Sequence, residues 1–251
     1  MGTRYGQFFD DISQVTGSSG WYAIYNSTYG QYVPVYVDQS YDNGGWVCVL
    51  ANRRYTAGMN NLKYTDAINS CNYRTEPSSD DSTNTPAVLS NLKNLGLDDV
   101  NIWIGLKFWS MFGGRKTSNK IETVVFSSGT NGTALNATSS HTERFTFDFT
   151  DFDSANDYRF SSAANGTIVV GSSSAGIYGH ATNSSAKLTT YDDDNDTHAS
   201  NCSTFYNNNP WWYTSCWSGN IFAGGSGYVD GPYWTSSNSS NSRQYMAVYI
   251  K

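Results

Sequence analysis

The stretch Tyr191–Cys216, YDDDNDTHASNCSTFYNNNPWWYTSC, sets a run of carboxylates, two cysteines and a Trp-Trp-Tyr cluster within one short segment. Asp192, Asp194 and Asp196 alternate, with Asp193 and Asn195 between them. Carboxylates this crowded repel one another unless a cation offsets them. Calcium takes oxygen ligands from side chains, backbone carbonyls and water in a flexible shell. The run opens as an EF-hand loop does, but counted from Asp192 the position that needs Gly holds Thr197 and the position that needs Glu holds Ser203. An EF-hand is therefore excluded. What is left is a calcium loop of another kind, or an acidic surface loop with no ion.

Cys202 and Cys216 close a loop of ordinary disulfide length, which the chain-entropy treatment values at about 3 kcal/mol. Two reduced, buried thiols are the alternative in a reducing compartment. With Cys48 and Cys71 the chain has four cysteines, which allow three pairings, and none forms C-x-x-C. His141, His180 and His198 lie far from one another in sequence, so a zinc site is not expected. Trp211, Trp212 and Tyr213 form a cluster of the kind that fills a core more often than it lines a ligand site. If they lie on a strand, neighbours point to opposite faces, so one Trp can be buried while the other faces outward.

Outward from this segment, the chain reads as strands separated by polar loops. GWYAIYNSTYGQYVPVYVDQS (20–40) alternates aromatic or β-branched residues with polar ones, the period of a β-hairpin. GGWVCVLANRR (44–54) reads as a strand that starts from Gly44 and Gly45. PAVLSNLKNLG (86–96) puts Val88, Leu89, Leu92 and Leu95 at helical spacing, with Gly96 where a C-cap glycine belongs. VNIWIGLKFW (100–109) and IETVVFSSG (121–129) read as strands. ERFTFDFTDF (143–152) places Phe145, Phe147 and Phe149 on one face, and RQYMAVYIK (243–251) is the closing strand. The Asn/Ser/Thr/Asp-rich loops at 72–86, 127–142 and 171–186 are too interleaved with strands to be linkers. The reading is an N-terminal arm over 1–16 and one domain over 17–251, of α+β class, with a central, mostly antiparallel sheet, few short helices and long loops.

Bulk composition narrows the function. Charged residues make up only 14% and hydrophobic residues 38%, while there are 19 Tyr and 8 Trp. The surface is therefore covered by neutral polar groups, and aromatics supply either the core or a recognition surface. The net charge of −6 and the lack of a basic run argue against nucleic acid. No segment approaches the ~18 continuous apolar residues that span a bilayer. MGTRYGQFFDDISQ lacks the apolar region of a secretion signal, so the expectation is a native start or a leader already removed. FGGRKT (112–117) fails as a phosphate-binding loop because Arg115, not Gly, precedes Lys116. There is no G-x-S-x-G, and carboxylates are too numerous for a glycosidase pair to stand out. No feature requires an enzyme.

Taken together, DDDND, NC, WWYTSC and the downstream GYVDGPYW (227–234) resemble the C-terminal domain of fibrinogen and its relatives, the ficolins and tachylectin-like lectins. The resemblance extends to SSGWYAIYNSTYGQYVPVYV, DNGGWVCVLANRR and RQYMAVYI. Residues 17–54 and the C-terminal third carry it, whereas 55–187 match loosely. It implies a calcium ion held by the side chains of Asp194 and Asp196 and the backbone carbonyls of His198 and Ser200. It implies that Cys202 and Cys216 lie within bonding distance. It also implies a ligand pocket beside that loop, at Tyr213, Ser215, Cys216, Trp217, Tyr228 and Asp230, with a cis peptide at Ser215–Cys216. Trp217 stands where the family commonly has His, which turns a hydrogen-bonding wall into an apolar stacking one. Asp11 and Val37 stand near where the family's first disulfide would be.

The resulting expectation is a non-enzymatic recognition or structural protein. Its ligand would be a host-surface glycan or acetylated sugar. One setting is a virion component, such as a phage tail, fibre or capsid-surface protein, joined to other virion proteins through the arm and forming a homo-oligomer. The other is a secreted, extracellular lectin of innate-immunity type. N-x-S/T sequons at Asn26, Asn131, Asn136, Asn165 and Asn183 permit the latter, although any Asn/Ser/Thr-rich chain generates them.

Overall fold

Residues 20–38 form the hairpin that their alternation calls for. Strands β1 (Gln7–Phe9), β2 (Gly20–Asn26) and β3 (Gln31–Asp38) lie side by side, with β2 and β3 antiparallel from Gly20↔Val37 to Asn26↔Gln31. Gly30 closes the turn at φ 65°, a conformation that costs glycine little. The computed structural model describes residues 7–53, 59–74, 92–97, 100–112, 119–126, 143–170, 176–216, 220–222 and 245–251.

The chain continues through β4 (Trp46–Arg53), α1 (Tyr64–Asn69), β5 (Asn72–Arg74), β6 (Asn101–Trp103), β7 (Asn119–Phe126) and β8 (Glu143–Phe149). Next come β9 (Asp151–Asp153), β10 (Arg159–Ser161), β11 (Ala164–Val170), α2 (Gly176–Ala181) and β12 (Lys187–Thr189). The last elements are α3 (Cys202–Phe205), β13 (Trp211–Tyr213) and β14 (Tyr245–Ile250). The main sheet has ten strands and runs β1-β2-β3-β4-β14-β7-β8-β11, with β5 and β6 branching from β4. Its pairs are antiparallel except β1 with β2. β9 with β10 and β12 with β13 form two small ladders.

β14 lies between β4 and β7, and both of its faces are covered: Met246 through Ile250 are all at 1% exposure or less. Burying each such aliphatic side chain is worth about 1.5–3 kcal/mol, so the closing strand is central to stability. β2 and β3 are covered on both faces as well over most of their length. In both places the sequence alternation sorts side chains between two buried layers rather than between core and water. Phe145, Phe147 and Phe149 are buried as their spacing predicts.

The structure corrects the expected form of two segments. The apolar run 100–109 is a strand only through Trp103; Leu106–Met111 is a 3-10 helix. Gly105 marks the break, because a Cβ there would stand 2.7 Å from the Ile68 carbonyl at the end of α1. Of the helix expected over 86–96, Val88 and Leu89 lie outside the described residues. The described part is one 3-10 turn, Leu92–Asn94, with Leu92 buried. Within residues 1–16, Gln7–Phe9 pairs with Tyr22–Ile24 at the sheet edge and Val15 is buried, so this end of the arm is docked on the domain.

Trp211 and Trp212 depart from expectation as well, because both are fully buried. Trp212 stacks on Trp103 of β6 at 5.9 Å and on Phe152 of β9 at 5.7 Å, and packs on Phe160 of β10 at 4.8 Å. Its indole N–H donates to the Tyr158 carbonyl at 2.8 Å. The pair faces two packed layers, the main sheet and the small ladders, so neither Trp is left for solvent.

Candidate functional site

The carboxylate run follows β12 and is built from short-range hydrogen bonds. Thr190 and Asp193 exchange backbone bonds across a tight turn. Asp192 Oδ1 accepts from the Thr190 hydroxyl at 2.7 Å and from the Tyr64 amide at 3.0 Å, which ties the loop to the first turn of α1. Asn195 reaches back to β12 through its amide to Thr189 Oγ1 and its Nδ2 to the Leu188 carbonyl. Asn201 closes the loop: its Nδ2 donates to the Thr190 carbonyl at 2.8 Å, while its Oδ1 accepts from the Thr204 amide and caps α3. Asp192 is therefore a structural member of the alternating set, and Asp194 and Asp196 are left to face each other.

Asp196 accepts two amides, His198 N–H on Oδ1 and Cys202 N–H on Oδ2, each at 2.8 Å. Its carboxyl is nevertheless raised above the usual carboxylate range, chiefly by desolvation, against the two amides that lower it and with a smaller rise from neighbouring Asp194. Asp193 is raised too, by desolvation and then by Asp157, Asp192 and Asp194. Both shifts come first from desolvation, and in both the neighbouring carboxylates add to it. A shared proton or a cation relieves that. Two neighbouring carboxylates with backbone carbonyls beside them are oxygen ligands, which fit a hard divalent ion rather than a soft one. Of the two expected carbonyls, that of Ser200 faces His198 Nδ1 at 3.0 Å. His198 and Ser200 are exposed, Asp194 is exposed, and Asp196 is half-buried.

Cys202 and Cys216 are joined by a disulfide, Cα–Cα 5.2 Å. Cys202 is fully buried at the start of α3. The His198 imidazole lies beside the bond, within 4.8 Å of its sulfurs, but the sulfurs are used in it. The Thr197 amide donates to the Thr214 carbonyl at 3.0 Å, and Thr214 and Cys216 form an isolated bridge. The acidic loop is thus fastened to the 214–216 segment by one hydrogen bond and one covalent bond. Cys48 and Cys71 are not joined in a disulfide.

Of the residues expected to face a ligand, Ser215 is exposed and Cys216 half-buried, with φ 66° at Cys216. A non-glycine residue in that region is uncommon and is held there by its surroundings. Trp217, Tyr228 and Asp230 lie outside the described residues. Tyr213 differs from the expectation: it is wholly buried, stacked on Tyr206 at 6.0 Å, with its hydroxyl donating to the Asn209 carbonyl and accepting from Asn220 Nδ2. β13 is covered on both sides, so Tyr213 shapes the segment from within and does not touch the surface. Sequence reasoning missed Asn195, Asn201 and the Thr197–Thr214 link. Asn201 carried a readable signal, an Asn placed directly before the short helix CSTF.

No protein-family model and no curated protein matches the sequence. Solved structures do match it. The fibrinogen-like globe domain of human ANGPTL6 aligns at TM-score 0.60 and 18% identity, over 97% of this chain and 95% of that one. The corresponding domain of human ANGPTL2 gives 0.61 and 17%, over 97% and 98%. Lamprey fibrin D-dimer, solved with the peptide ligand Gly-His-Arg-Pro-amide, gives 0.62 and 14%, over 98% and 74%. The chain has the fibrinogen-like fold, α+β and sheet-rich with few short helices.

Proposed function

We propose that the protein is a non-enzymatic recognition domain whose ligand surface is fixed by calcium. The side chains of Asp194 and Asp196 and the carbonyls of His198 and Ser200 would hold the ion, whose charge offsets the carboxylate repulsion. The recognition surface is Ser215 and Cys216 together with Trp217, Tyr228 and Asp230. Its ligand is a host-surface glycan or an acetylated sugar. The observation that carries this reading is the close approach of Asp194 and Asp196 in a loop fastened to the 214–216 segment. The fibrinogen-like fold of the neighbours supports a binding domain.

The disulfide favours a protein that works outside a reducing cytosol. That suits a surface-exposed virion component that attaches to a host, joined to other virion proteins through its N-terminal segment, and it suits a secreted lectin equally. The Asn26 sequon is a poor glycan acceptor in either setting, because Asn26 is buried and its side chain accepts from the Tyr29 amide.

Thermal melts with calcium and with chelator test the ion. Binding to the folded state alone stabilises by about 2.7 kcal/mol at a hundredfold excess over Kd. The midpoint should fall in chelator, and Asp196→Asn should abolish the difference. An unchanged midpoint removes the calcium reading. Host-cell adsorption or glycan capture that is insensitive to chelator removes the coupling between ion and ligand.

A further inference from the structure

The end of the domain built from the β2–β3 turn carries a cleft of about 260 Å³ that the proposed calcium site does not use. Its walls come from the segment after β1, from the turn itself and from the end of the 106–111 helix. None of these elements belongs to the 190–216 region.

The surface beside the cleft is aromatic and open. Tyr25 and Tyr32 are register partners across the hairpin, so they share a face, and their rings lie 5.1 Å apart. Phe8 extends the row, 5.0 Å from Tyr32. Phe8 is 42% exposed and Tyr32 43%. Single exposed aromatics are ordinary on a protein surface, but a contiguous row that ends at a cleft marks a binding surface. Tyr25 belongs to both, since it also lines the cleft.

The cleft itself is polar and acidic. Asp10 and Asp11 line it, with the hydroxyls of Ser27, Thr28 and Ser110, and none of its described lining residues is Lys or Arg. The Asp10 carboxylate is exposed and has no hydrogen-bond partner among the described residues. Asp11 is held in place by accepting the Ser13 amide at 2.8 Å. Asn26 ties the turn to the helix, accepting the Tyr29 amide with Oδ1 and contacting Met111 Sδ with Nδ2. Two carboxylates exclude an anionic ligand. Exposed aromatic rings next to carboxylates and hydroxyls match a pyranose, whose C–H face packs on a single ring while neighbouring hydroxyls donate to a carboxylate. We infer that this cleft is a second sugar-binding site, independent of calcium and of the site proposed above.

Saturation-transfer NMR of the whole protein in chelator tests this directly, with methyl α-mannoside, methyl β-galactoside, methyl β-glucoside and N-acetylglucosamine as probes and tetramethylammonium as the competing cationic probe. At least one sugar should receive saturation. Asp10→Asn and Tyr32→Ala, both at exposed positions, should weaken that sugar about tenfold, as expected for one hydrogen bond to a charged group or one stacking contact. Tyr32→Phe, which keeps the ring, and Asp196→Asn, which alters only the other region, should leave binding intact. Melting curves of the variants confirm that each is folded. Absence of saturation for all four sugars, equal saturation in Asp10→Asn and Tyr32→Ala, or saturation of tetramethylammonium alone would each overturn the inference. Loss of sugar binding in Asp196→Asn with retention in the other two variants would assign it to the calcium loop instead.

Discussion

Replacing Cys202 and Cys216 together by Ala tests how far the acidic loop depends on its covalent link. The two residues are 14 apart in sequence, and leaving a loop of that length open in the unfolded chain costs about 3 kcal/mol at 25 °C. Cys202 is wholly buried, so loss of its sulfur removes packing worth about 1 kcal/mol more. The expected loss of about 3–4 kcal/mol lowers Tm by roughly 6–16 °C for a chain of this size. The unfolded variant is also less confined, so the dependence on denaturant should steepen. Urea unfolding of the wild type, the wild type in reductant and the double variant measures both quantities. If the loop holds calcium as proposed, its affinity should fall in parallel, because the amide that holds Asp196 Oδ2 belongs to Cys202. A loss below about 1 kcal/mol with an unchanged slope refutes the reasoning. In that case the hydrogen bonds from Asn195, Asn201 and Thr197 hold the loop unaided.

Trp212→Ala should cost about 3–5 kcal/mol in chemical denaturation, and Trp212→Phe less, since the indole bridges β6 to β9 and β10; a neutral Ala variant would contradict its place in the core. Gly105→Ala should lose about 1–3 kcal/mol through overlap with the Ile68 carbonyl, and a fully stable variant would show that the contact gives way freely. Burial pushes the Cys71 thiol up to about 11, against a backbone hydrogen bond to Gly105 and the Lys107 charge that lower it, and burial with the Asp38 charge raises Cys48 well above the usual range. At about pH 8 both are thiols rather than thiolates, so a disulfide reagent should label buried Cys48 only after unfolding and half-buried Cys71 slowly, and rapid labelling of either in the folded protein would contradict this. Removing residues 244–251 deletes β14 and should leave no cooperative unfolding transition; a soluble product that melts sharply would make the strand peripheral.

The parts of the fold that were legible are those where local pattern and tertiary demand coincide. Alternation plus a Gly-closed turn located β2 and β3, paired glycines located β4, and Phe-x-Phe-x-Phe located β8. The 100–109 run was misread because a short apolar stretch has no period by which to separate strand from 3-10 helix, and the break at Gly105 is set by α1, distant in sequence. Gln7–Phe9 gave no signal, since three residues become a strand only by pairing with β2. At the site, the alternating carboxylates were visible directly, but their division into a structural Asp192 and a facing Asp194–Asp196 pair depends on Thr190 and Tyr64. Tyr213 was misjudged for a related reason: aromatic excess does not tell which rings are enclosed until both layers around β13 are in place.

The position of β14 has a further consequence, for how the molecule is made. β4 pairs with it from Val47 to Arg53, with one register shift, yet the two are separated by roughly two hundred residues of intervening chain. During synthesis β4 therefore emerges long before its partner. Until then Val47, Val49 and Leu50 sit on a strand with an unfilled backbone edge, the state most prone to pair with another chain. The hairpin of β2 and β3 can close early, but the centre of the sheet joins only when β14 arrives. Prematurely ended chains should be conspicuous to proteases rather than accumulate as near-native fragments, and yield in a heterologous host should respond to slower translation and to chaperones that shield strand edges.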